Sequence, residues 1–185
     1  GRMVFEDALE MQSDSAEAHT GLGEIDRLEG SYSGAITSYR NAISQSKRFA
    51  PAHLGLAKVF LAQRDLEMAE KSARVALQFG EKMPAACDLL GEIARRQSRL
   101  DDAKRYYEQA IGMDDTRSQT YGGLGLTYLL LNQDAKALEW LETGLEKEDV
   151  DEHYPYLDLA ILYHESHLLQ KAEAIYDMAR RIGVN

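Results

Sequence analysis

Three glycines stand within five positions in the stretch YGGLGLTYLL, residues 121–130, and an apolar run follows them. A glycine-rich loop can cradle a phosphate when it follows a strand and carries a lysine or a G-x-G-x-x-G spacing. The sequence around this stretch has neither the strand pattern nor such a spacing. Phosphate binding is therefore disfavoured, and the glycines need another explanation.

Two histidines, His164 and His167 in YHESHLLQ, are three residues apart, as two metal ligands on one helix face would be. Their H-x2-H spacing is not the H-E-x-x-H of zinc proteases, so surface histidines are the favoured interpretation. Cys87 is the single cysteine, which excludes an internal disulfide and a multi-cysteine metal site. No pair of carboxylates is singled out as acid and base. The sequence predicts no active site, no metal and no cofactor.

The composition is that of a folded, helical protein. Hydrophobic residues make up 44% and charged residues 28% of the 185, and the three prolines are too few to interrupt many helices. The net charge of −10 comes from 31 acidic and 21 basic residues, with no basic stripe along the chain. Nucleic acid and anionic membrane surfaces, which require clustered Lys and Arg, are therefore not expected as partners.

The compartment is not fixed by the sequence. No apolar stretch approaches the roughly 20 residues that a membrane helix needs, so membrane insertion is not expected. The start, GRMVFEDALEMQ, lacks the apolar core of a signal peptide and is interpreted as a truncation or cloning junction. A cytoplasmic location is the default, and a periplasmic one stays open if a signal was removed.

An internal period organises the whole chain. Leucines recur at intervals of 34, 34, 34 and 35 residues, namely Leu22, Leu56, Leu90, Leu124 and Leu159. A small residue follows each one, as Gly23, Ala57, Gly91, Gly125 and Ala160. A second small position recurs as Ala35, Ala69, Ala103, Ala137 and Ala172, and a third as Ala42, Ala76, Ala110, Gly144 and Ala179. Between these two lies a mostly aromatic or large position, held by Tyr39, Tyr107, Leu141 and Tyr176, with Ala73 as the exception.

One copy reads Tyr121-x2-Leu124-Gly125-x2-Tyr128 and then Ala137-x3-Leu141-x2-Gly144. This resembles the tetratricopeptide repeat (TPR) signature W-x2-L-G-x2-Y followed by A-x3-F-x2-A, and the resemblance covers about residues 16–182. It implies an all-α fold, a right-handed α-solenoid of antiparallel helix pairs. Five full 34-residue TPR units and an N-terminal half repeat give about 11 helices.

The register divides the chain further. Residues 1–185 are expected to form a single TPR solenoid domain, with 1–15 as the second helix of a truncated repeat, because Phe5 and Ala8 match Tyr39 and Ala42. The full repeats are predicted at 16–49, 50–83, 84–117, 118–151 and 152–185. The acidic segment EKEDVDEHYP, which contains one extra residue, is predicted to be an irregular loop.

Local signals mark where the helices begin and turn. Pro51, Pro84 and Pro155 stand where first turns would begin. Ser15 and Ser118 are candidate N-caps. Turns are expected around Gly30, Ser98 and Asn132, two of which tolerate a left-handed backbone. Because helices approach to about 8 Å only where bulk is absent, the recurring Gly and Ala are predicted to lie where helices cross.

Three further side chains are assigned to packing. Cys87 shares a register with His19, His53, Tyr121 and Tyr156 and is predicted to be buried between helices. Tyr106 and Trp140 share a register beside the second-helix stripe, and half-buried packing is favoured over an outer contact surface.

The resemblance also implies a working surface, since peptide ligands in this family are gripped by first-helix side chains that project into a groove. The corresponding residues include Lys58, Leu61, Asp88, Glu92, Arg95, Gly122, Leu126, Leu129, Ile161 and His164. The two-carboxylate clamp used by some members needs several Lys, Arg and Asn, and only Lys58 and Arg95 fit. An extended or helical peptide with apolar anchors is favoured, and packing of the leucines between first helices is the alternative.

These observations predict a non-enzymatic scaffold that binds a partner peptide or protein in its groove, within a larger protein. The alternative is a structural spacer or oligomerisation segment of a multidomain protein, such as a bacterial export or envelope protein. No repeat buries its apolar face alone, so self-association through exposed end repeats is also expected to be possible.

Overall fold

The computed structural model describes residues 2–11, 15–114, 116–147, 150 and 154–181, and describes no side chains for 8–11. These residues form helices and turns without a strand, which confirms the all-α prediction. The eleven helices are α1 (Arg2–Met11), α2 (Ala16–Leu28), α3 (Tyr32–Gln45), α4 (Ala50–Ala62), α5 (Leu66–Phe79), α6 (Pro84–Arg96), α7 (Leu100–Met113), α8 (Ser118–Leu130), α9 (Asp134–Leu145), α10 (Tyr156–Glu165) and α11 (Leu169–Arg181).

The chain divides into two compact units, 1–93 and 94–185, and α6 carries the division. In unit 1 each helix from α1 to α4 packs against the next one along the chain, and the first helices α2 and α4 also touch. In unit 2 the same sequential packing runs from α7 to α11. The prediction of a single domain over 1–185 stays a prediction.

The small residues of the repeat lie at the centre of the helix pairs. All five alanines at the first second-helix position are buried, namely Ala35, Ala69, Ala103, Ala137 and Ala172. The next small position is buried as well, as Ala42, Ala76, Ala110, Gly144 and Ala179. Since a larger side chain would hold the helices apart, these positions set how closely each pair packs.

A tyrosine in α3 explains two glycines of unit 1. The ring of Tyr39 is fully buried. A Cβ built on Gly23, in the same repeat, would come within 2.8 Å of this ring, and one built on Gly55, in the next repeat, within 2.3 Å. Both glycines are therefore needed because an aromatic ring occupies the space that any side chain would take.

The same arrangement answers the question raised by YGGLGLTYLL. The stretch lies inside α8, where Gly123 faces Tyr107 at 2.5 Å and Gly125 faces Leu141 at 2.6 Å, both measured from a built Cβ. At the N-terminal end, Gly21 faces Phe5 at 2.4 Å. The glycines are packing residues of a helix and do not form a phosphate loop.

The second full repeat, 50–83, departs from this pattern. At the register position of Tyr39 and Tyr107 it carries Ala73, and at the register position of Gly55 and Gly123 the following first helix carries Leu89. Leu89 packs against the core of unit 1 beside Ala69, Phe60 and Ile93. By register, a small residue on the second helix is thus paired with a large one on the following first helix.

Each helix pair turns through one residue with a left-handed backbone. The φ angles are +77° at Gly30, +62° at Arg64, +59° at Ser98, +55° at Asn132 and +59° at His167. The turns predicted around Gly30, Ser98 and Asn132 are confirmed. The turns at Arg64 and His167 were not predicted; arginine rarely adopts this conformation, whereas histidine adopts it more often than most residues do.

The helix starts follow most of the local signals. Ser15 caps α2, accepting a hydrogen bond from the Ala18 N–H at 3.1 Å. Pro51 lies in the first turn of α4, and Pro84 begins α6. The prediction that Ser118 caps α8 is wrong: Arg117 is the N-cap, so Ser118 is already the first helical residue, and it is buried.

Part of the acidic segment before α10 lies outside the described residues, as does the side chain of Ala8. Of that segment the structure describes Glu146, Lys147, Val150, Tyr154 and Pro155. Pro155 is the N-cap of α10, and Tyr154 is buried. The predicted irregular loop is therefore tested only at its ends.

Candidate functional site

The predicted groove residues are divided between the two units. Each lies on a first helix of a repeat, which places it on one of the four helices α4, α6, α8 and α10. Unit 1 carries Lys58, Leu61, Asp88 and Glu92. Unit 2 carries Arg95, Gly122, Leu126, Leu129, Ile161 and His164.

In unit 1, Lys58 joins a charged cluster around Glu24. The Arg27 guanidinium donates to the Glu24 carboxylate from Nη2 at 2.6 Å and from Nε at 3.1 Å. The Tyr39 hydroxyl donates to the same carboxylate at 2.7 Å, and the Lys58 ammonium lies 3.9 Å from it. One carboxylate thus holds three side chains from three helices.

Contacts within the cluster change the pKa of Glu24 and of Tyr39. The hydrogen bonds from Arg27, and then from Tyr39, lower the pKa of Glu24 to about 2, against the desolvation that opposes ionisation. Burial, followed by the hydrogen bond to Glu24, raises the pKa of the Tyr39 hydroxyl. At neutral pH the cluster therefore holds an ionised carboxylate, two cations and a neutral phenol.

The remaining unit 1 residues are half-buried. Leu61 packs against the core of unit 1, which is the alternative that we gave for the groove leucines. Asp88 and Glu92 on α6 each take part in a polar or electrostatic contact. The polar part of the predicted site is thus already engaged within the protein.

In unit 2, Gly122 is covered. A Cβ at Gly122 would lie 2.8 Å from Pro155 Cδ and 3.3 Å from the Tyr154 ring. The glycine itself is buried. Gly122, which the register assigns to the groove, is therefore covered by Tyr154 and Pro155, just before α10.

Tyr154 is the residue that the sequence analysis missed. Its hydroxyl donates to the backbone carbonyl of Leu141, and its ring lies against Gly122 and Gly144. Burial raises the pKa of this phenol. The fourth repeat carries Leu141 where three of the other four full repeats carry tyrosine, and the sequence signal for Tyr154 was the extra residue in its own segment.

The apolar positions of unit 2 are open to solvent to different degrees. Leu126 and Leu129 on α8 are half-buried, while Leu130 is 53% exposed. On α10, Leu157 is 36% and Ile161 is 49% exposed. We call these five residues the unit 2 apolar positions. Helix α8, over its 13 residues SQTYGGLGLTYLL, carries no charged side chain.

Charged groups border these positions on α10. Asp158, in the first turn, has a pKa raised by burial, and Arg95 partly offsets this effect. Arg95 is half-buried and has a partner. His164 lies in the last turn of α10 and is exposed.

The two histidines are not placed as a pair on one helix. His164 belongs to α10, whereas His167 follows the end of the helix and occupies the left-handed turn position. Among the residues that the structure describes, no group of three or more His, Cys, Asp or Glu could hold a metal ion. No described helix is long and apolar enough to cross a membrane.

The packing predictions for Cys87 and the two aromatic residues are confirmed. Cys87 is fully buried, and burial raises the pKa of its thiol to about 11. Tyr106 is buried. Trp140 is half-buried, and its ring centroid lies 5.8 Å from that of Tyr121.

Successive helix pairs, each with a left-handed turn residue and with recurring small residues buried between the helices, define a helical repeat protein. Comparison with known proteins agrees. A TPR repeat profile matches residues 23–63, and a tetratricopeptide repeat profile matches residues 94–155. The chain belongs to the tetratricopeptide repeat family.

Two characterised relatives share modest identity with it. The anaphase-promoting complex subunit CDC16 of Saccharomyces cerevisiae is 28% identical over 167 residues, which are 85% of this chain and 19% of that protein. The type IV pilus assembly protein PilF of Pseudomonas aeruginosa is 27% identical over 169 residues, 88% of this chain and 64% of that protein. The chain thus spans less than two thirds of either relative.

Solved structures show the same fold. Pseudomonas aeruginosa PilF superposes with a TM-score of 0.82 at 24% identity, over 91% of this chain and 76% of that one. The APC/C hetero-tetramer Cut9–Hcn1 gives 0.88 at 13% identity, over 99% and 36%. YrrB, described as a TPR protein with an unusual peptide-binding site, gives 0.69 at 17% identity, over 99% and 94%. The family and these neighbours support a protein-interaction scaffold.

Proposed function

We propose that this protein is a non-enzymatic scaffold that binds a partner peptide or protein through the groove-facing side chains of its first helices. The partner carries apolar anchors. Nucleic acid and membrane insertion have no part in this function, since the chain carries a net charge of −10 without a basic stripe.

The observation that carries the proposal is the exposure of Leu157 and Ile161. These residues are four apart on α10, so they lie on one face of the helix. Leu159 and Leu162 of the same helix are buried, which shows that the core is already supplied by other residues. Burying an exposed side chain of this size against a partner contributes about 25 cal/mol per Å² of apolar area.

The charged cluster of unit 1 supports an apolar rather than an acidic ligand. Arg27 and Lys58 are the cations nearest to Glu24, and Glu24 already holds Arg27 with two hydrogen bonds. An acidic ligand would have to compete with this carboxylate for both cations. The two-carboxylate clamp therefore stays disfavoured.

The experiment replaces exposed residues, so that folding is spared. Leu157→Asp with Ile161→Asp should abolish capture of native partners by the immobilised protein while leaving helical circular dichroism unchanged. The matched control is Met178→Asp, because Met178 is 41% exposed on α11, a second helix, and lies outside the predicted groove positions. If the Leu157→Asp, Ile161→Asp variant captured native partners as well as the control variant does, a groove on α10 would be refuted.

A second candidate function is a structural spacer or oligomerisation segment of a longer protein, such as an export or envelope protein. Two observations favour it: the likeness to a type IV pilus assembly protein, and exposed apolar residues on the outer helices, including Met3 and Val4 of α1. Sedimentation at several concentrations separates the candidates. A discrete self-complex with no affinity for another protein supports the spacer.

A further inference from the structure

Asp158 on α10 is a half-buried carboxylate without an ion pair. It lies in the first turn of the helix, where it accepts a hydrogen bond from its own backbone N–H. Among the residues that the structure describes, no side chain donates a hydrogen bond to it or forms an ion pair with it. Other half-buried carboxylates accept hydrogen bonds from side chains, as do Glu24, Asp26, Glu70, Asp102 and Glu142. Because a charge that is partly removed from water is costly unless it is paired, Asp158 needs an explanation.

The repeat register relates the surroundings of Asp158 to the charged cluster of unit 1. In unit 1 this neighbourhood consists of Glu24, Arg27, Tyr39, Gly55 and Lys58. The residues of unit 2 in the same register are, in that order, Leu126, Leu129, Leu141, Asp158 and Ile161. Both neighbourhoods thus contain one carboxylate. Unit 1 supplies its own cations, whereas unit 2 has leucine and isoleucine in their places.

The change from tyrosine to leucine makes room for the side chain of Asp158. At Gly55 a Cβ would come within 2.3 Å of the Tyr39 ring, so a side chain is excluded there. Leu141 is shorter than tyrosine and is fully buried in α9, which packs against α10. A carboxylate can therefore stand on α10 where unit 1 requires a glycine.

The positions of the missing cations are apolar and accessible. Leu129 is half-buried and Ile161 is 49% exposed. Helix α8 has no charged side chain, and α10 has neither lysine nor arginine. The charge of Arg95 acts on Asp158, but burial has the larger effect and raises the pKa of Asp158. The carboxylate is therefore compensated only in part within the protein.

We propose that Asp158 binds an arginine side chain of the partner in the groove, with the aliphatic part of that side chain against Leu129 and Ile161. Arginine fits because its guanidinium can donate two parallel hydrogen bonds to one carboxylate. Arg27 does so to Glu24 in unit 1, at 2.6 and 3.1 Å.

This inference rests on the groove function proposed above and adds a basic residue to the apolar anchors of the partner. The residues that form the site lie on α8, α9 and α10, and their unit 1 counterparts lie on α2, α3 and α4. The comparison therefore needs no residue outside these described helices.

The probe is a phage-displayed library of random dodecapeptides, selected on the immobilised full chain. Peptides with apolar residues around one arginine should be enriched. A selected peptide should bind about tenfold more weakly when citrulline, which has a similar shape but no charge, replaces its arginine. In Asp158→Asn the two peptides should bind equally, as measured by fluorescence anisotropy on protein whose fold is confirmed by circular dichroism.

Two further variants test whether the carboxylate acts through the ligand. Asp134→Asn is the matched control, because Asp134 lies in the first turn of α9, is exposed and is outside the groove positions. It should keep the preference for arginine over citrulline. Leu129→Arg places a cation in the register of Arg27, so Asp158 gains a partner within the chain. This variant should lose the preference.

Three results would overturn the inference: selected peptides without arginine, a preference that Asp158→Asn leaves unchanged, and a preference that Asp134→Asn removes equally. Failure of the groove gives a different result. Selected peptides that bind the Leu157→Asp, Ile161→Asp variant as tightly as the parent protein would refute the groove itself. Apolar peptides that lack arginine and do not bind this variant would support the groove and refute only the role of Asp158.

Discussion

The Tyr39 ring and the Gly55 backbone are in direct contact, such that a Cβ on Gly55 would come within 2.3 Å of the ring. Tyr39 also lies against Gly23, so one side chain of α3 touches the first helices of two successive repeats. This contact depends on two glycines, each placed in a helix, where glycine costs about 1 kcal/mol relative to alanine. The close packing around the ring must offset that cost.

Gly55→Ala should destabilise the protein, because the added methyl overlaps the Tyr39 ring. Overpacking of a core costs about 1–3 kcal/mol, and urea denaturation measures the change. Gly112→Ala is the control: Gly112 is exposed near the end of α7, and nothing lies within 4 Å of a built Cβ. It should be neutral or stabilising by up to about 1 kcal/mol. A stable Gly55→Ala would show that the ring can move aside.

Tyr154→Phe should lower the free energy of unfolding, since it leaves the Leu141 carbonyl without its phenol donor. Leu141 lies within α9, where the carbonyl also accepts from the N–H four residues on, so the loss is that of one hydrogen bond, about 0.5–1.5 kcal/mol. Tyr176→Phe serves for comparison, because Tyr176 is partly exposed and water can replace its hydroxyl contacts. Equal stability of the two phenylalanine variants would argue against an anchoring role for Tyr154.

The lowered pKa of Glu24 is expected to make the stability of the protein depend on pH. Its pKa is lowered from 4.5 to about 2 in the folded protein, first by the hydrogen bond from Arg27. A lowered pKa stabilises the fold above the unfolded value, and this contribution is lost as the pH falls from about 4.5 towards 2.

Glu24→Gln should therefore lower the free energy of unfolding at pH 7. The difference in this free energy between the variant and the parent protein should become smaller as the pH approaches 2. Denaturation midpoints between pH 2 and 7 measure this, with the other carboxylates common to both proteins. A difference that stays constant over this range would mean that Glu24 titrates normally.

The left-handed backbone at Arg64 is expected to lower the stability of the protein. With φ at +62°, Arg64 adopts a conformation that costs an ordinary L-residue about 1–2 kcal/mol. Arg64→Gly should stabilise the protein by up to about 1 kcal/mol, since the greater freedom of glycine in the unfolded chain takes back part of the gain. Asn132→Gly should gain less, because asparagine tolerates this backbone. Thermal unfolding of both variants decides the comparison.

The sequence allowed the helices and most contacts of the repeat to be predicted, because the spacing of small and large residues follows directly from helix packing. The alanines at 35, 69, 103, 137 and 172 are all buried in the structure. Arg64 and His167 could not be identified as turn residues, since their backbone is set by the turn itself and not by their side chains.

Less of the candidate site could be predicted from the sequence. Gly122 was assigned to the groove from its register, yet Tyr154 and Pro155 cover it from outside the repeat pattern. Similarly, a charge count shows Lys58 and Arg27 as cations but not that Glu24 lies beside them. Contacts between residues far apart in the chain decide both cases.

Helix α8 has a further consequence for how the protein behaves when it unfolds. Its 13 residues include no charge, and the nearest charged side chains are Arg117 before it and Asp134 after the following turn. Uncharged apolar segments of this kind aggregate once they are released into solvent. Heating past the melting temperature of unit 2 is therefore expected to give precipitate rather than recoverable protein, with Arg117 and Asp134 as the gatekeepers that limit it.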